Sequence, residues 1–186
     1  MKKIKVTITL LLVIATLTVN AQSKLFTRNG KINFFSKTTA ENIDADNNEV
    51  FSMIDPQKKS VAFQLLNTGF KFERALMQEH FNENYIESSK FPKTTFQGII
   101  TDSSKVDFNK DGKYDVSISG SLTMHGVTKK NDIKAIIIVS GKNVTGKSNF
   151  IIKLSDYNIK IPTLVANQIS QAVSISVSCN YEPFTR

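Results

Sequence analysis

Between Lys113 and Lys129 the chain reads KYDVSISGSLTMHGVTK, and the alternation within it leaves few folds open. Tyr114, Val116, Ile118, Leu122 and Met124 share one parity, while Asp115, Ser117, Ser119, Ser121, Thr123 and His125 share the other. Side chains of a β-strand point alternately to its two faces, so this is a strand with one buried and one wet face. Gly120 takes the apolar-side slot between Ile118 and Leu122, where a missing side chain marks a bend, a bulge or a close approach. The run exceeds the usual length of roughly five or six residues, and long antiparallel strands belong to barrels and large sandwiches.

Other segments follow the same period. Residues 170–181 set Val173, Ile175, Val177 and Tyr181 against Ser174, Ser176, Ser178 and Asn180. Residues 60–66 put Val61, Phe63 and Leu65 on one face, 94–101 do the same with Phe96 and Ile100, and 149–154 read as another strand. Residues 127–140 are apolar on both faces, Ile133, Ala135, Ile137 and Val139 being interleaved with Lys134, Ile136 and Ile138. Near the N-terminus, 25–28 and 31–38 read as two short strands joined by Asn29-Gly30, a type I′ hairpin signal. Residues 40–48 are polar and turn-rich, and 50–54 form a strand stopped by Asp55-Pro56. The period changes once: from about Phe70 to Asn82, the pairs Phe72 with Leu76 and Met77 with Phe81 predict a short amphipathic helix. One such helix within a run of strands is read as a lid or plug over one end, with a surface helix on a sandwich edge as the alternative.

Eight or nine strands on short connections, with no βαβ alternation, predict a single all-β domain, an antiparallel barrel. In a barrel of this size the apolar parity lines a lumen that is either filled by side chains or holds one small ligand. The candidate ligand-binding residues of that lumen are Phe34, Phe63, Leu65, Tyr114, Val116, Ile118, Leu122, Phe150, Ile152, Val173, Ile175 and Val177 on strands. Phe72, Leu76, Met77 and Phe81 on the helix complete the set.

Residues 1–21 have a Lys-rich start, an apolar run from Val6 to Leu17 and Val19-Asn20-Ala21 at the end, the pattern of a signal peptide. The remaining domain, 22–186, is therefore expected outside the cytoplasm, periplasmic or secreted. Removing Lys2, Lys3 and Lys5 lowers the formal charge of +8 to about +5. Its lysines are scattered and no nucleic-acid motif accompanies them, so nucleic acid is not an expected partner, whereas transient contact with a membrane surface is. Cys179 is the only cysteine, and its parity with Val173, Ile175 and Val177 reads as a small buried apolar residue.

Little here suggests catalysis. His80 and His125 are the only histidines, no Cys/His spacing suits zinc, and the serine-hydrolase elbow, Walker loop and dinucleotide fingerprint are absent. His125 reads as a turn or surface group. Residues 107–112, DFNKDG, match the first half of a calcium loop, yet Ile118 stands where a bidentate Glu belongs, so a plain turn is expected. No catalytic residue, metal site or cofactor is assigned.

Leu122-Thr123-Met124-His125-Gly126-Val127-Thr128-Lys129 resembles a segment of the YceI-like family of exported lipid-binding proteins. Lys90-Phe91-Pro92 with Thr95-Phe96-Gln97-Gly98, and Phe150 with Ser155-Asp156-Tyr157, resemble two further segments of that family. The resemblance implies a lipocalin-like barrel holding an isoprenoid or other long-chain, fatty lipid in its lumen. The helix departs from the family pattern at Ala75 to Phe81, so no head-group contact is carried over. The competing expectation is a β-sandwich interaction or adhesion module, with or without calcium.

Overall fold

The computed structural model describes residues 23–102 and 106–184; the predicted signal peptide lies outside the described residues. The strands are β1 (Leu25–Lys37), β2 (Asn42–Asp55), β3 (Ser60–Leu66), β4 (Lys71–Phe72), β5 (Lys93–Ile100), β6 (Gly112–Met124), β7 (Val127–Ser140), β8 (Asn143–Lys153) and β9 (Ala172–Pro183). The one α-helix among the described residues, α1 (Ala75–His80), lies between β4 and β5. The sheet runs β1-β9-β8-β7-β6-β5-β3-β2, and β1 also pairs with β2, so eight antiparallel strands close into a barrel. Closure overturns the sandwich alternative. It also removes the sheet edges, which explains how strands of up to 14 residues remain protected from pairing with other chains.

The opening alternation behaves as read. Val116, Ile118, Leu122 and Met124 are buried and Asp115 and Ser119 are exposed. The β6–β7 hairpin turns on two residues, His125 (φ 50°) and Gly126 (φ 73°), as a type I′ turn demands. Gly126 has a second reason to lack a side chain, since a Cβ there would come within 2.5 Å of the Phe91 ring.

Four local expectations fail. Asn29-Gly30 is not a turn: β1 runs through it, with register shifts against β2 between Thr27 and Ile32. A Cβ on Gly30 would meet Cys179 Sγ at 2.7 Å and the Val50 carbonyl at 3.0 Å, so the glycine serves a tight bulge in the wall. Residues 42–48, expected as loop, belong to β2. Ala45 and Asn47 face inward, and Asn47 is satisfied by donating to Leu66 O (3.0 Å) and accepting from Glu49 N–H (2.9 Å). Asn33 on β1 donates to both Asp44 and Asp46 on the outer face. The helix starts five residues late, because Phe70 is extended and Phe72 pairs with Ala45, and it continues as a π-helical turn, Phe81–Tyr85. Strand β8 likewise begins at Asn143, ahead of the expected 149.

Candidate functional site

The barrel is packed solid at one end and hollow at the other. Toward the solid end, Leu25, Ile100, Val106, Phe108, Val116, Val139 and Val144 belong to one buried cluster. The hollow end encloses a cavity of about 440 Å³. Its space comes from small inward residues. Ala135 pairs with Ser148 and Ile137 with Gly146 across β7 and β8, and all four line the cavity. On the adjoining β5–β6 pair Gly98 faces Gly120, and the Phe96 ring occupies the room their side chains would take.

Of the residues named from the sequence, Phe34, Phe63, Leu65, Ile118, Leu122, Phe150, Ile152, Val173, Ile175 and Val177 all lie on the cavity wall. So do Phe72, Leu76, Met77 and Phe81. Tyr114 and Val116 do not. They share the inward parity but sit where the barrel is filled: Val116 is 3% exposed, and the Tyr114 hydroxyl donates to Lys110 O at 2.7 Å. Parity fixes the face of a strand and says nothing of depth along it.

The walls also include residues the sequence left out. Ile54, Val61, Phe96, Ile133 and Tyr181 lie on alternating strands and were findable by parity, whereas Ile159, Val165 and Ile169 come from the aperiodic segment before β9. Phe81 holds α1 to the wall through Phe34, Phe70 and Phe72, with ring centroids 5.6, 5.5 and 5.1 Å away. The helix and the turn after it thus close one side of the hollow end, as Met77, Tyr85 and Ile86 also line it.

Polar atoms on this wall are mostly consumed by protein partners. The Tyr181 hydroxyl lies 2.8 Å from Ser52 Oγ, which donates onward to Ala62 O at 3.0 Å. Burial pushes the Tyr181 phenol well above its ordinary range, so it stays neutral. Burial likewise pushes the neighbouring Cys179 thiol up to about 11, and the residue is 1% exposed, the inert core position expected of it. Asn67 donates to Phe91 O (2.6 Å) and accepts from the Thr94 hydroxyl (2.8 Å). Charged and imidazole groups on the lining are Glu41, Arg74, His80 and Lys147, with Glu41 and Arg74 ion-paired to each other. Such a wall offers an apolar chain extensive contact and few polar anchors.

His125 is not on the cavity and is no surface group, its side chain being 10% exposed. Its Nδ1 lies 2.9 Å from Tyr157 O and its Nε2 2.6 Å from Glu87 Oε2, with the Phe91 ring 4.6 Å away. In the 107–112 turn, Asp107 accepts from Asn109 N–H (2.9 Å) and Asp111 from Gly141 N–H (2.8 Å). Among the described residues no group of three or more His, Cys, Asp or Glu is placed to hold a metal ion.

The model of the YceI-like domain matches residues 13–181. Protein YceI of Escherichia coli (strain UMN026) is 28% identical over 132 residues, covering 67% of this chain and 65% of its own length. A UPF0312 protein of Pseudomonas putida (strain GB-1) is 23% identical over 139 residues, covering 71% and 69%. The chain thus spans about two thirds of the length of these relatives. Among solved structures, a polyisoprenoid binding domain from Saccharophagus degradans superposes with a TM-score of 0.76 at 16% identity, over 88% of this chain and 99% of that one. BcnA of Burkholderia cenocepacia gives 0.66 at 18% identity, over 82% and 95%. At these identities the structural likeness is one of fold.

Proposed function

The chain belongs to the YceI-like family, and from that premise we propose that it is an exported, non-catalytic carrier that sequesters an isoprenoid or other long-chain amphiphilic lipid in the barrel. The observation that carries this reading is the apolar cavity of about 440 Å³ under the helix. At about 30 Å³ per methylene-sized unit it holds on the order of fifteen carbons. Burying them at about 0.8 kcal/mol each gives roughly 12 kcal/mol before ordering costs, so the tail supplies the affinity. Apolar walls separate similar tails poorly, and selectivity falls to tail length and to Glu41, Arg74 and His80 beside the helix. The naming of a Saccharophagus degradans relative as polyisoprenoid binding supports the ligand class. The pattern of residues 1–21 supports export, to the periplasm or outside the cell. A non-catalytic role is supported by the neutral, internally bonded Tyr181 and by His125 lying off the cavity.

Lipid extraction and mass spectrometry of natively exported protein test the reading. Native protein should yield a long-chain lipid or take up added polyprenyl compounds. Leu76→Trp and Met77→Asp should lower occupancy with the circular dichroism of the barrel unchanged. Native protein that yields no lipid and takes none up would leave the reading without support.

A further inference from the structure

The segment 161–171 before β9, IPTLVANQISQ, contains no charged residue in a chain that is 22% charged. It is nevertheless largely exposed, with Leu164 at 91% the most exposed large apolar side chain among the described residues. An exposed loop ordinarily carries charge because water solvates it, and a charge-free apolar crest suits a less polar medium. Part of its backbone is paired within the loop. Val165 N–H donates to Pro162 O (3.1 Å), Ala166 to Thr163 O (3.4 Å) and Gln168 to Val165 O (2.9 Å), around the short helical turn Thr163–Val165. Pairing of these amides lowers the cost of moving the crest out of bulk water. Its base is pinned, since Ser170 N–H donates to Ser36 Oγ at 2.9 Å.

Position decides what meets this crest. Val165, Gln168 and Ile169 line the cavity from the loop and Leu76, 61% exposed, lines it from α1, so loop and helix both border the hollow end. We infer that this rim, with Leu164 at the crest of the loop and Leu76 on α1, inserts into the interfacial layer of a lipid bilayer. The inference rests on the carrier reading: a long apolar ligand is stored in bilayers, and a rim continuous with the cavity brings ligand and barrel together without passage through water. Two leucines and one loop crest fall well short of the roughly 1,200 Å² of a stable protein interface, whereas interfacial insertion by about 5–10 Å needs only such a crest. Because the crest is uncharged, binding should depend little on anionic lipid or salt.

The test is flotation of the purified protein with phosphatidylcholine vesicles, with and without phosphatidylglycerol, alongside Leu164→Asp. Leu164 is not part of the cavity wall, so the variant should take up a detergent-solubilised polyprenyl compound normally. Expected are equal binding of native protein to both vesicle types and a loss of about tenfold or more in Leu164→Asp. Binding unaffected by the substitution, or binding seen only with phosphatidylglycerol, overturns the inference. A concentration-dependent dimer abolished by Leu164→Asp, without vesicle binding, assigns the crest to a second copy and overturns it too. Retained vesicle binding with no lipid uptake refutes the carrier reading and leaves the docking surface standing.

Discussion

The hollow end exists because small side chains face inward there, and filling it should trade binding for stability. Ala135→Leu adds three carbons at a position that borders the cavity and pairs with Val116 and Ser148. At about 0.8 kcal/mol per buried carbon, the unliganded protein gains on the order of 2 kcal/mol. For a domain of this size that is a rise in Tm of about 4–8 °C. The same three carbons remove on the order of 90 Å³ at about 30 Å³ each, against a cavity of about 440 Å³. Uptake of the longest accepted lipid should therefore fall while that of a chain shorter by several carbons persists. Differential scanning fluorimetry of lipid-stripped protein and competition between lipids of graded length read both effects. If Ala135→Leu melts lower than the parent and binds every length as before, the space beside Ala135 is not where the chain lies, and the account of the cavity fails.

Phe81→Ala removes three aromatic contacts worth about 0.5–1.5 kcal/mol each, and because these hold α1 to the wall, amide exchange in 75–86 should accelerate about a hundredfold while the strands stay protected. Gly120→Ala places a Cβ 2.5 Å from both Gln97 O and the Phe96 ring, so urea melts should show a loss of about 1–3 kcal/mol; an unchanged midpoint would contradict the packing. His125→Asn keeps a residue that tolerates the positive φ but breaks the Glu87 contact, and should cost about 1.5–3 kcal/mol in the same assay. The Cys179 thiol is raised from 9.0 to about 11 in the folded protein, so the unfolded chain loses its proton first as pH rises, and stability falls between pH 9 and 11 by about 2–3 kcal/mol. Tyr181 acts in the same direction, so Cys179→Ala should flatten this alkaline decline without abolishing it.

Where alternation was carried by apolar residues the barrel was legible: β6 and β9 have Val116, Ile118 and Leu122 or Val173, Ile175 and Val177 against runs of serine. It was illegible in residues 42–48 of β2, where the inward series includes Asn47 and the outward one Asp44 and Asp46, because a hydrogen-bonded asparagine takes a core position normally held by a hydrophobe. The Phe72–Leu76 spacing misled for a related reason. Phe70 and Phe72 alternate as strand residues before the helix, and four residues apart is also an even number, so the pair satisfies both periods. Most of the strand-borne cavity wall followed from parity, whereas depth within the barrel, which separates Val116 from Ile118, depends on neighbouring strands that no local pattern reveals. The rim segment 161–171 has no period at all. Its legible signal was the absence of charge, which acquires meaning only once exposure is known.

The segment with the strongest family resemblance also has a physical role that strand patterning does not supply. The type I′ turn at His125 and Gly126 brings the imidazole to the hollow end of the barrel, between two elements that flank the opening. Through Glu87 it reaches the stretch just after α1 and its π-helical turn, and through Tyr157 O it reaches the corner that leads into the rim loop. Asn131 Nδ2 donates to the same tyrosine's hydroxyl at 3.0 Å, fixing that corner from β7. Glu87, at φ 47°, and His125 each hold a left-handed backbone that costs about 1–2 kcal/mol, a cost that a charge-assisted bond between them offsets. Helix and rim loop share no strand pairing, and the hairpin turn adds a polar link between the stretch after α1 and the corner before the loop. One side chain outside the cavity thereby links two segments whose neighbours Ile86 and Ile159 line it, a link that the apolar parity alone does not reveal.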